Sequence, residues 1–89
     1  GWLITGEWVF SLDALRHWFD QLESGENKVV RAKALIRTEQ GHFVLNWRDG
    51  VLSEMPTRPL EESRLELITE TPPDSDALEM SLMKCRSEG

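Results

Sequence analysis

The sequence predicts an α+β fold: two layers, with a mainly antiparallel sheet of four to five strands and two helices on one face, in the order β-α-β-β-β-β-α. Three observations predict it. Several segments alternate apolar and polar residues with the period of a half-buried strand. Two others repeat apolar residues at helical spacing, one near each end of the chain. Between them, Arg48-Asp49-Gly50 carries the Asp-Gly signal of a tight hairpin, which makes neighbouring strands antiparallel.

Residues 2–10 place Trp2, Ile4, Trp8 and Phe10 on one side, with Gly6 interrupting, and predict a strand bent at Gly6. Ser11 is suited to cap a helix that buries Leu12, Leu15, Trp18, Phe19 and Leu22, and Ser24-Gly25 is expected to end it. A long strand follows over Lys28–Thr38, then a turn at Glu39-Gln40-Gly41. His42–Trp47 forms a second strand of this group, with Phe43, Leu45 and Trp47 on one face, and Val51–Met55 a third. Pro56 and Pro59 mark a loop, and Arg64–Ile68 is the last strand. Pro72-Pro73 stops the sheet. Asp74 or Ser75 then caps a helix over Ala77–Arg86 with Leu78, Leu82 and Cys85 inward.

Eighty-nine residues suit a single domain, residues 1–89. A chain of this size buries roughly 60–65% of its unfolded surface, so its margin of stability is small. The charged fraction of 29% belongs to an ordinary folded domain, and no apolar run approaches membrane-spanning length. The first residue is Gly, from which a segment of a longer product is expected. A lone cysteine, Cys85, cannot form an internal disulfide and fits a reducing, cytoplasmic setting. The net charge of −6 is uneven: residues 1–27 carry −4, residues 28–64 carry +2 and residues 65–89 carry −4. An acidic total opposes attraction to nucleic acid or an anionic membrane, but leaves room for contact with an acidic protein surface.

The chemistry-bearing residues do not assemble into a recognisable catalytic or metal pattern. His17, His42 and Cys85 form no close-spaced ligand pair, and no phosphate-binding glycine motif occurs. Ser53, Ser63 and Ser75 have no His at an interpretable spacing, and Glu61-Glu62 fall in a loop. What stands out is a row of cations on one face of the long strand, Arg31, Lys33 and Arg37, opposite a small apolar set, Val30, Ala32, Ala34 and Ile36. One reading is a solvated sheet face with Glu39, Glu54 or Glu66 as cross-strand partners; the other is a docking face for an acidic partner. Trp18 belongs to a core. Trp2, Trp8 and Trp47 exceed what so small an interior is expected to hold, so Trp47 joins Arg31, Lys33 and Arg37 as an expected interaction face.

Several segments together resemble a known family. Gly1-Trp2-Leu3-Ile4, a helix ending in Trp18-Phe19, Val30-Arg31-Ala32-Lys33-Ala34-Leu35-Ile36-Arg37-Thr38, Asn46-Trp47, Ser63-Arg64-Leu65-Glu66-Leu67-Ile68 and a closing Lys84-Cys85-Arg86 resemble the CobW C-terminal domain. Within that family they are most similar to the YeiR-like, zinc-associated GTPase branch. Ala34 stands where the family's Arg-x-Lys-Gly pattern has Gly, a small-for-small change that keeps close packing. The resemblance implies a non-catalytic accessory domain of a GTPase involved in metal chaperoning or cobalamin synthesis. It places GTP, magnesium, the Cys-x-Cys-Cys motif and zinc or cobalt on a separate P-loop domain, so no cofactor, catalytic or metal-binding residue is carried onto this chain. The partners it implies are the GTPase domain of the same polypeptide and a client metalloprotein or second subunit, with neither nucleic acid nor membrane. The alternatives are a free-standing interaction or dimerisation module, and a weak metal-binding domain using His42 or Cys85.

Overall fold

The computed structural model describes residues 2–22 and 29–87. Its elements are β1 (Trp2–Gly6), α1 (Leu12–Leu22), β2 (Val29–Thr38), β3 (Gly41–Arg48), β4 (Val51–Pro56), β5 (Ser63–Thr69) and α2 (Ser75–Met83). The strands form one antiparallel sheet in the order β1-β5-β2-β3-β4. Two hairpins build β2-β3-β4 outward, and β5 then returns to the other side of β2, leaving β1 and β4 as the edges.

Local chemistry explains the turns and caps. Asp49 and Gly50 both take positive φ, 52° and 80°, the pairing a two-residue hairpin needs to match strand twist. The Ser11 hydroxyl accepts from Ala14 N at 3.3 Å, and the Glu39 carboxylate reaches across from the β2–β3 turn to accept from Leu12 N at 3.1 Å. Two free amides at the start of α1 are thereby satisfied. Asp74 does the same for α2, accepting from Ala77 N at 3.1 Å.

The core lies between the helices and one face of the sheet. At its centre Ala32 pairs with Trp47 and Leu67, and Ala34 with Leu45 and Leu65, so small residues on β2 are flanked by large ones on both neighbours. Phe10, Leu15, Phe19, Leu78 and Leu82 complete the buried cluster. Each fully buried side chain of this size contributes about 1.5–3 kcal/mol. The Trp18 indole N–H donates to the Ser81 hydroxyl at 2.8 Å, tying α1 to α2.

Three expectations need correction, and one cannot be assessed. The first strand stops at Gly6, because the Trp8 ring folds back over it. A Cβ at Gly6 would lie within 2.5 Å of that ring. Phe10 instead bridges Thr38 and Arg86, with Phe10 N donating to Arg37 O at 2.8 Å. The second helix spans Ser75–Met83 rather than 77–86, since the chain leaves it to pair with residues 9–11: Ser11 N donates to Cys85 O and Ser87 N to Val9 O. Trp47 is only 4% exposed and lies in the core, not on an interaction face. Ala32 opposite it supplies the space. Trp2 and Trp8 are half-buried against the same cluster. The expected helix stop at Ser24-Gly25 and strand start at Lys28 lie outside the described residues.

Candidate functional site

Side chains alternate across a strand, so packing Ala32, Ala34 and Ile36 inward turns Arg31, Lys33 and Leu35 out on the opposite face of the sheet. No described helix covers that face. Strand register arranges its residues in rows. In the first, Arg31 lies between Arg48 of β3 and Ile68 of β5. In the second, Lys33 lies between Asn46 and Glu66, with Leu3 of β1 beyond Glu66. In the third, Leu35 lies between Val44 and Arg64, and Met55 of β4 extends the apolar side.

Among the described residues of these rows, four cations, Arg31, Lys33, Arg48 and Arg64, therefore share a face with one carboxylate, Glu66. Arg31 and Arg48 are direct cross-strand neighbours, an arrangement of like charges that disfavours the sheet. Among the described residues the side chains of Arg31, Lys33 and Arg64 make no ion pair or hydrogen bond, and Arg48 has only a long contact of 3.9 Å to Asp49. Two of the three carboxylates that the sequence offered as neutralising partners are engaged elsewhere. Glu39 caps α1, and Glu54 lies on the inner side of β4, where Arg16 of α1 grips it through two bonds of 2.7 and 2.8 Å. Those bonds hold the Glu54 carboxyl below its usual range and raise the Arg16 guanidinium further.

Arg37 has a different position from its neighbours. Its guanidinium donates to the carbonyls of Glu7, at 2.8 Å, and Glu61, at 3.5 Å, and so ties two loops to the end of β2. Its Nε is buried without a hydrogen-bond partner. Of the expected interaction face, Arg31 and Lys33 thus stand together in the open, Arg37 is a loop clamp and Trp47 is inside. Arg48, Arg64 and the apolar run Leu35, Val44 and Met55 were missed. Alternation within each strand gives their side, but which strands lie next to β2 is not written locally.

The remaining reactive groups are occupied or scattered. Leu60 N donates to His42 Nδ1 at 2.6 Å, which pins the β4–β5 loop and requires the tautomer with Nδ1 unprotonated. Cys85 is buried within reach of Ala14 O, and burial pushes its thiol up. No group of three or more His, Cys, Asp or Glu comes together among the described residues, and none of their helices is long and apolar enough to cross a membrane.

An open, cation-rich sheet face on a two-layer α+β domain does not by itself identify a family, but the whole sequence does. Residues 1–86 match the family model of the cobalamin synthesis protein cobW C-terminal domain. The chain belongs to the CobW C-terminal domain family. No curated protein sequence matches it. Among solved structures, this CobW domain is similar in fold to the Zn(II)-bound YjiA GTPase from E. coli, with a TM-score of 0.72 at 10% identity. The likeness covers 97% of this chain and 29% of that one. A Zn(II)-bound triple mutant of YjiA matches to the same extent. The chain therefore spans less than a third of the length of these relatives.

Proposed function

We propose that this CobW domain is the non-catalytic interaction element of a cytoplasmic, metal-linked GTPase, and that its open sheet face docks on the GTPase domain of the same polypeptide. The observation that carries the reading is the contrast between the faces. One is filled by helices, while the other displays Arg31, Lys33 and Arg64, whose side chains make no ion pair or hydrogen bond among the described residues. Support for a GTPase partner comes from the family and from YjiA, in which a domain of this fold makes up 29% of a GTPase chain. GTP, magnesium and a zinc or cobalt ion belong, on this reading, to that other domain, and metal delivery or cobalamin synthesis is the process served. A second subunit or client metalloprotein would compete for the same face.

The test is association in trans between this 89-residue chain and the GTPase domain of its parent protein, measured by titration. Reversing Arg31 and Lys33 to Glu together should weaken it at least about tenfold, or 1.4 kcal/mol, with circular dichroism unchanged. Unaltered affinity would reject the reading.

A further inference from the structure

The cations are concentrated over one seam. Two shallow depressions, of about 280 and 230 Å³, adjoin along β2 and β5 and share Lys33 and Glu66. Arg64 and Leu35 line one, Arg31 and Ile68 the other. Arg31 and Lys33 are two residues apart on one strand, so their side chains leave the sheet roughly 6.7 Å apart, and Leu35 continues the row at the same interval. From Arg31 to the Leu35–Arg64 pair is four residues, about 13 Å, too long for one small anion to satisfy both ends.

The chemistry of the face narrows the occupant. Single-stranded nucleic acid needs exposed aromatic platforms, and the sheet's rings, Trp2, Phe43 and Trp47, lie on the other face. A second copy using the same face would oppose cation to cation. An anionic bilayer would face a chain of net charge −6. An extended peptide, in contrast, repeats its same-side residues at the spacing of Arg31, Lys33 and Leu35. The geometry points to an acidic, extended segment of a protein partner as the occupant of the β2–β5 seam, with carboxylates at alternate positions over Arg31 and Lys33 and an apolar residue beside Leu35. This rests on the reading of the open face as a docking surface, and it specifies what that surface selects.

A fluorescently labelled peptide of the pattern Ser-Glu-Ser-Glu-Ser-Leu-Ser is the probe, titrated with the 89-residue chain at low salt. Saturable binding is expected, weakening with added salt and falling about tenfold for Lys33→Glu. Lys33→Gln should weaken it in the same direction, which separates charge from any effect on folding. The double variant Arg31→Glu/Lys33→Glu should instead prefer the peptide with Lys in place of Glu. Absence of saturable binding, indifference to these substitutions, or stronger binding to oligothymidylate or phosphatidylserine vesicles would overturn the inference. If the acidic peptide fails while the parent GTPase domain still binds through Arg31 and Lys33, only the occupant is wrong. If neither binds, the docking surface falls with it.

Discussion

The two faces of β2 are built from alternate residues of one ten-residue strand, yet they answer to different constraints. Ala32 and Ala34 pair with both neighbouring strands and, with Ile36, belong to the buried cluster that includes the inward residues of the helices, where a change of one methylene alters the packing. Arg31 and Lys33, one residue away along the chain, make no ion pair or hydrogen bond through their side chains among the described residues. The inner face holds the domain together. The outer face can vary with little effect on folding, and it retains an Arg31–Arg48 juxtaposition that folding alone does not favour. A contrast this sharp within one strand separates stability from recognition more cleanly than either face would alone.

If the inner face carries the stability, Trp47→Ala should give the largest effect: a loss of about 3–5 kcal/mol, read from urea denaturation, which could leave so small a domain largely unfolded. A mild effect would mean that the helical layer does not depend on the sheet's inner surface. Ser63→Ala should cost less, about 1–3 kcal/mol, because the buried hydroxyl accepts from Arg37 N at 3.0 Å and donates to Trp8 O at 2.9 Å.

The rim between the faces gives a smaller, pH-dependent signal. Glu54 has a depressed folded-state pKa because Arg16 hydrogen-bonds its carboxylate. Its contribution is complete above the unfolded carboxyl value of about 4.3 and disappears as pH falls through the lower folded value. Thermal midpoints of the wild type and Glu54→Gln should therefore differ slightly at neutral pH and converge in acid. Divergence on acidification would contradict the ion pair. The smallest change belongs to the outer face. Arg31→Thr should change the unfolding free energy read from urea denaturation by no more than about 0.5 kcal/mol, toward greater stability as repulsion with Arg48 is relieved. A loss approaching that of Trp47→Ala would abolish the division between the faces.

Much of the fold could be read residue by residue. The Ser11 cap, the Asp49-Gly50 turn, the alternation in β2 from Arg31 onward and the inward set of α1 each depend on groups a few positions apart, and each is found in the structure. Val30, expected with the inward alanines, is exposed, because the register shifts between Val29 and Arg31. The candidate site was legible only in part. Arg31 and Lys33 were placed correctly on the face away from the alanines, but the expectation for Trp47 rested on the capacity of the core, a property of the whole molecule. Arg37 followed the alternation yet turned to backbone carbonyls of two loops, which no nearby residue announces.

What the sequence determined by itself was periodicity: which residues share a side, where strands turn and where helices begin. Those choices arise from backbone sterics and hydrogen bonds within about one turn or one strand pair. Tertiary structure decided which strands became neighbours, and with them which charges met. Glu39 lies 27 residues from the helix start it caps, and Glu54 lies 38 residues from Arg16. Glu39 lies in the β2–β3 turn and Glu54 on the inner side of β4, and both meet their partners only because α1 packs on that side of the sheet. The outer face was left basic because strand order, unlike strand period, depends on how distant segments bury their apolar faces together.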